Sequence, residues 1–358
     1  MDTCERGESW GRCLLHGDHN TLMKSMVLSK PRPVEEGPLR PTDIDPPAPT
    51  ADQLLVRVAA CGVCRTDLHQ VEGELPMRKS PVVPGHMAVG DVVETGPDAT
   101  RFQPGDRVGS AWLHRACGRC EFCRADRENL CDNADFTGWT VDGGYAEYLL
   151  LPDAFAYPVP DGLPDEQAAP LLCAGIIGHR SYRAANVGPG GRLGLYGFGN
   201  AAHIAIQVAV HEGCEVYVFT RREEHRRLAR ELGAAWAGSA DEDPPEGARM
   251  HGSVIFAPAG EIIPKALESL EKGGTVSLAG IYMTATPPLE YRRHLYGEKC
   301  LRSVANATRR DGEELLQLAA EIPIRTTVQT YPLERANEAL LALKRSRVDG
   351  AAVLRIRT

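Results

Sequence analysis

The sequence predicts a two-domain chain of class α/β plus β, in which a β-barrel-like domain is joined to an α/β domain built on a parallel sheet. Three observations carry that reading. Short β-branched runs punctuated by Gly and Pro fill the first half. Strand-like and helix-like segments alternate after about residue 173. The 358 residues, 43% of them hydrophobic and 25% charged, suffice for two packed cores.

Taken in order, MDTCERGESWGRCLLHGDHNTL mixes acids, bases and histidines without an apolar run. Residues 1–22 therefore read as a disordered extension and not as a secretory signal, and Met23 or Met26 could be the native start. Alternation suggests a first strand at 23–29, and the proline-rich 41–49 reads as a loop. LLVRVAAC (54–61), VGDVVETG (89–96), DRVGSAWL (106–113) and YAEYLLLP (145–152) read as short strands. RLGLYGFGNAAHIAIQVAVHEGCEVYVFTR reads as strand, glycine turn, amphipathic helix and second strand. EEHRRLARELGA (223–234) is a further helix, and SVIFAP (253–258) a strand. IIPKALESLEKGG (262–274) reads as a helix ending in glycines, and TVSLAG (275–280) as a strand. DGEELLQLAAEI and LERANEALLALKRS are helical in period, and GAAVLRIR closes as a strand.

A net charge of −8 without a long basic run disfavours nucleic-acid and anionic-membrane partners. No stretch approaches 18 consecutive apolar residues, so no transmembrane helix is expected. Eleven cysteines in a long chain without a signal point to metal binding before disulfides.

CGRCEFCRADRENLC spaces Cys117, Cys120, Cys123 and Cys131 by two, two and seven residues. Four thiolates that close together can enclose one tetrahedral Zn²⁺ with no open position, which makes a structural site. A nucleic-acid-binding zinc ribbon would use two separated pairs and basic residues, whereas this loop carries Glu121, Asp126 and Glu128. ACGVCRTDLH (60–69) holds a second C-x-x-C, which taken alone also suits a redox dithiol. Cys64, His86 and Cys173 can together supply three ligands and leave a fourth position open, as a catalytic zinc needs. Sequence spacing does not establish that they meet.

GFGNAA lies between the strand RLGLY and a helix, the context of a dinucleotide fingerprint. Gly197 permits the tight turn, Gly199 the approach of backbone to a pyrophosphate, and Ala202 close packing. The next strand ends in Thr220-Arg221-Arg222, where an NAD site would offer Asp or Glu. A hydroxyl and two guanidiniums suit the 2′-phosphate of NADP, although solvated charge at a helix start is an alternative.

From about Met23 onward the chain resembles the zinc-dependent medium-chain alcohol dehydrogenases, close to the bacterial propanol-preferring and cinnamyl-alcohol branch. CGVCRTDLH, PGH, the four-cysteine loop, DGGYAEY (142–148), PLLCAG (170–175) and GFGNAA occur in the family's order. The resemblance implies a GroES-like catalytic domain at 23–173 and 309–358, interrupted by a Rossmann NAD(P)-binding domain at 174–308. It implies two Zn²⁺ per chain: a catalytic ion on Cys64, His86 and Cys173, with Cys61 outside the set, and a structural ion on the four-cysteine loop. On the same resemblance Asp67 orients a ligand histidine, Thr66 takes the alcohol proton, and His69 delivers it to solvent. Arg65 matches a contact to the coenzyme pyrophosphate and Trp112 a substrate-pocket aromatic. The implied function is reversible hydride transfer between a primary alcohol or aldehyde and NAD(P), NADP favoured, in a cytoplasmic homodimer or homotetramer.

One departure stands out. The family reads Gly-His-Glu where this chain reads Gly85-His86-Met87. All three ligands remain, so metal binding is expected to survive, with a more electropositive site and slower ligand exchange; thioethers bind Zn²⁺ poorly. Two other readings compete: an impaired coenzyme-binding member acting as redox sensor or scaffold, and a polyol or secondary-alcohol dehydrogenase.

Overall fold

The strand Gln53–Val63, buried along most of its length, is the spine of the first sheet. In the computed structural model, which describes residues 22–239, 241–348 and 350–357, it pairs antiparallel with Met87–Thr95 on one side and Ala351–Arg355 on the other. All but the last residue of the expected extension at 1–22 lie outside the described residues. Tyr148–Pro152 adds to the start of the spine, and Arg107–Gly109, Tyr157–Pro158 and Val328–Pro332 complete the seven strands. Register shifts at Leu55/Val56 and Val58/Ala60 bend the spine, as bulges do when an antiparallel sheet curls toward a barrel.

The second sheet is parallel throughout. Its spatial order is Trp236–Gly238, Glu215–Phe219, Arg192–Tyr196, Met250–Ile255, Leu270–Leu278, Cys300–Ser303. That is the doubly wound 3-2-1-4-5-6 arrangement, whose strand order reverses between Arg192–Tyr196 and Met250–Ile255. Helix Ala174–Ala184 leads into this sheet and helix Arg309–Glu321 leads out, back to the strands that complete the first sheet. The β-domain is therefore discontinuous in sequence, and the α/β domain is inserted in it. Among the described residues no helix is long and apolar enough to cross a membrane.

Three expectations are corrected. The helix read over 262–274 stops at Glu268, because fully buried Leu270 pairs with Met250 and LEKGG belongs to the strand Leu270–Leu278. The loop read over 41–49 begins as the strand Leu39–Ile44, paired with Met23–Leu28; Pro41 is tolerated because this ribbon has only two strands. The single strand read over 106–113 is broken. Arg107–Gly109 joins the main sheet, whereas Leu113–Arg115 pairs with Asp135–Phe136 in a separate ribbon, so the chain changes sheets around Trp112.

Leu354 is fully buried in the C-terminal strand and packs with Leu54, Val56 and Cys61 of the β-domain core. Truncating it leaves a cavity that this strand cannot collapse to fill. Leu354→Ala is expected to cost about 2–5 kcal/mol, read as a lower urea midpoint; a cost below about 0.5 kcal/mol would show that the returning strand is peripheral.

Candidate active site and metal centres

Strand Gln53–Val63 runs straight into helix Arg65–Glu72, with Cys64 at the N-cap. Asp67, at the third helical position, turns back to accept the Cys64 backbone N–H at 2.8 Å. This carboxylate-to-backbone contact is half of a capping box, and it explains why the chain turns helical there. The same carboxylate accepts the Tyr145 hydroxyl at 3.2 Å and lies 3.2 Å from His86 Nδ1. Asp67 and His86 are each only 1% exposed.

His86 leads into the strand Met87–Thr95, and Cys173 caps the helix Ala174–Ala184. The fold brings their ligand atoms and the Cys64 sulfur within 4.8 Å of one another, with the two sulfurs 4.0 Å apart. His86 Nε2 is buried and has no hydrogen-bond partner among the described residues. Nδ1, likewise without a hydrogen-bond partner there, faces the Asp67 carboxylate at 3.2 Å, which leaves Nε2 to meet a cation beside two thiols, so the donor set fits zinc. The hydrogen bond shared with Cys173 draws the Cys64 thiol well below its ordinary range, and His86 adds to this despite burial. Burial opposes a charged imidazole, yet Asp67 and Cys64 outweigh it and hold His86 up to about 10. Cys61 stands apart: it is fully buried, burial pushes its thiol up, and it is not in the ligand cluster.

Met87 is 2% exposed and packs among apolar side chains, with its tip where a Cβ on Gly62 would lie 2.7 Å away. Trp112 stands edge-on to the His86 ring at 5.1 Å and stacks on Phe136 and Trp139 at 5.2 and 5.7 Å. Arg78 covers the outer ring of this aromatic wall, 5.6 Å from the centre of Trp139.

The four-cysteine loop folds as expected of a closed metal site. Cys117, Cys120, Cys123 and Cys131 converge, with sulfur separations of 3.4 Å (Cys120–Cys123) and 3.9 Å (Cys117–Cys123). Backbone N–H groups of Arg119 and Cys120 pull the Cys117 thiol down to about 6. Desolvation and the hydrogen bond shared with Cys120 push Cys123 up to about 12. Sulfurs that collect backbone donors are prepared to hold negative charge, as thiolate ligands require.

Between the domains lies a cleft of about 410 Å³ lined by Cys64, Arg65, Thr66, Met87, Cys173 and the turn 197–202. Gly197, at φ +87°, opens that turn, and a Cβ there would press on the Ala257 backbone at 3.0 Å. Ala202 is fully buried in the following helix, Asn200–His211. Arg65 is exposed on the cleft wall. One turn beyond Thr66, His69 pairs through Nδ1 with Glu74. At the end of strand Glu215–Phe219, Thr220 is buried and lies 3.4 Å from His225 Nδ1. Arg221 and Arg222 are exposed, Arg222 lying 3.6 Å from Glu224 across a weak surface pair. Thr220, Arg221 and Arg222 are not among the lining residues of the cleft.

Sequence reading passed over Tyr145, Phe136, Trp139 and Glu74. Tyr145 sits in the recognised run DGGYAEY, but its bond to Asp67 spans 78 residues. Phe136 and Trp139 meet Trp112 only because the chain changes sheets there, and no local periodicity announces that.

The alcohol dehydrogenase GroES-like domain model matches residues 50–161, and the zinc-binding dehydrogenase model residues 202–321. A Mycobacterium tuberculosis protein named "Probable alcohol dehydrogenase AdhA" is 47% identical over 339 residues, 93% of this chain and 97% of its own. Among solved structures, cinnamyl alcohol dehydrogenase SbCAD4 of Sorghum bicolor superposes with TM-score 0.83 at 28% identity, covering 93% of this chain and 97% of its own. A cobalt- and zinc-bound thermostable alcohol dehydrogenase of Pyrobaculum aerophilum gives 0.82 at 26%, covering 93% and 99%. With two inward thiols and an imidazole beside a dinucleotide turn, and with these likenesses along nearly its whole length, the chain belongs to the zinc-dependent, NAD(P)-linked medium-chain alcohol dehydrogenase family.

Proposed function

We propose that the protein interconverts primary alcohols and aldehydes, carries two zinc ions per chain, and prefers NADP. The observation that carries this reading is the partnerless, buried Nε2 of His86 set among two thiols on the wall of the coenzyme cleft. When bound there, zinc supplies Lewis acidity toward the alcohol oxygen, and the nicotinamide coenzyme accepts the hydride. The rest falls to the chain's own residues. Cys64, His86 and Cys173 hold the metal, and Asp67 fixes the His86 ring and tautomer. Thr66 takes the substrate proton in the cleft, and His69, anchored by Glu74, passes it to solvent. Arg65 and the 197–202 turn receive the pyrophosphate, while Trp112, Phe136 and Trp139 form the wall against which an apolar substrate body lies. Thr220, Arg221 and Arg222 receive the 2′-phosphate. The catalytic domain comprises 23–173 and 309–358 and the coenzyme domain 174–308, in a cytoplasmic homodimer or homotetramer.

Met87 bears on the alternative of an impaired sensor or scaffold. Its side chain packs among apolar neighbours and the three ligands remain together, so the site is expected to work, with slowed ligand exchange. The deciding assay is aldehyde-dependent oxidation of NADPH, with NADH in parallel, by this chain and by Met87→Glu. Turnover by the natural chain is expected; silence from it with turnover restored by M87E would establish the impaired reading.

Elemental analysis should return two zincs per chain. Asp67→Asn is expected to weaken the catalytic site about 10–100-fold, so dialysis brings the count toward one while the four-cysteine ion stays. Two zincs retained by the dialysed D67N protein would remove Asp67 from its assigned role. If Arg221 grips the 2′-phosphate, Arg221→Ala should raise the NADPH KM roughly tenfold or more and leave that of NADH within about twofold. Equal effects on both coenzymes would count against NADP preference.

A further inference from the structure

Two buried side chains of the four-cysteine loop reach to the point where the chain leaves the coenzyme sheet. Both lie in the turn Glu128–Leu130, immediately before Cys131. Glu128 is 5% exposed, and its Oε1 accepts the Arg309 backbone N–H at 2.9 Å and Arg309 Nε at 3.3 Å. Arg309 opens the helix Arg309–Glu321, so this carboxylate also sits at the positive end of the helix dipole. The Arg309 guanidinium lies over Phe155, 4.8 Å from the ring centre, and donates to the Ala154 carbonyl at 3.4 Å. The neighbouring Asn129 donates through Nδ2 to the Ala305 carbonyl at 2.8 Å.

Val304, one residue earlier, still belongs to the coenzyme sheet, since its N–H donates to Leu278 at 2.9 Å. The segment 304–309 therefore runs from the coenzyme sheet directly into the grip of the metal loop. Within it Asn306 adopts φ +58°, a left-handed conformation uncommon outside glycine, asparagine and aspartate. Two side-chain atoms at this crossing are buried without a partner among the described residues: the acceptor Asn129 Oδ1 and the donor Asn306 Nδ2. Their polarities are complementary, and Asn129 is already bonded to the residue next to Asn306. A buried amide group left unpaired is costly, so a small shift of 305–307 that joined the two would be favoured.

We propose that the four-cysteine loop is a latch on the domain junction: Glu128 anchors the returning helix, and Asn129 takes Asn306 as a second partner when coenzyme is bound. Glu128 and Asn129 are then positioning residues for coenzyme affinity, and the loop does more than stabilise its own lobe. The inference rests on the coenzyme cleft read above.

The test uses the zinc-loaded enzyme and four variants: Glu128→Gln, Asn129→Ala, Asn306→Gly and the Asn129→Ala/Asn306→Gly pair. Glycine at 306 suits the left-handed backbone and keeps the fold. Coenzyme Kd comes from fluorescence titration with NADPH and NADH, metal content from elemental analysis, and junction order from amide hydrogen exchange at 304–309. Each single variant is expected to weaken coenzyme binding roughly fivefold or more, about the size of one hydrogen bond, with zinc content and aldehyde KM unchanged. The pair should lose no more than the weaker-binding single variant, because both changes remove one contact. Coenzyme should slow exchange at 304–309 in the parent and not in N129A or N306G. Unchanged Kd in all variants, additive losses in the pair, or losses that follow departing zinc would each overturn the latch. A parent chain that binds neither coenzyme would overturn the cleft reading and the latch together; a parent that binds beside variants that match it overturns the latch alone.

Discussion

A buried carboxylate is tolerated only when its lone pairs are occupied, and Asp67 occupies them with groups from three separate parts of the chain. Its contacts are the Cys64 N–H at the start of its own helix, the Tyr145 hydroxyl from a distant loop, and the His86 imidazole at the head of the next strand. One side chain thus starts the helix that carries Thr66, faces the ring of one candidate metal ligand, and sets the backbone of another. Removing its charge would leave the buried Cys64 N–H and Tyr145 hydroxyl poorly paired and take the carboxylate away from His86.

Around that anchor, the two domains divide the chemistry. The antiparallel sheet supplies Cys64 and His86 from adjoining strand ends, and Cys173 stands at the N-cap of the helix that leads into the parallel sheet. The parallel sheet places its glycine turn across the same cleft, at the reversal of strand order where doubly wound folds bind dinucleotides. Proximity of the substrate oxygen to the coenzyme is then a property of how the sheets face each other. Met87 fits this design as filling: Gly62 opposite it leaves room for the thioether, which packs among apolar neighbours.

Most of the fold was legible because its signals are local. Glycine turns, alternation of strand and helix, and the spacing of Cys117, Cys120, Cys123 and Cys131 all act within a few residues, where backbone sterics and ligand geometry leave little choice. Errors arose where a long-range partner overrode the local pattern. LEKGG has the composition of a helix end, but burial of Leu270 against Met250 makes it strand. DRVGSAWL has the pattern of one strand, but its two halves satisfy their backbone groups in different sheets.

By itself the sequence determined the two-domain class, the closed four-thiol site, the dinucleotide turn and, through the order of its motifs, the family. Only the tertiary structure decided that Cys64, His86 and Cys173 share one site, that Asp67 and Tyr145 stand behind it, and that Trp112 forms a wall with Phe136 and Trp139. The physical reason is sequence separation. Cys64 and Cys173 are 109 residues apart, and no hydrogen-bond rule or propensity acts over that distance until sheet register and domain packing bring the sulfurs to 4.0 Å.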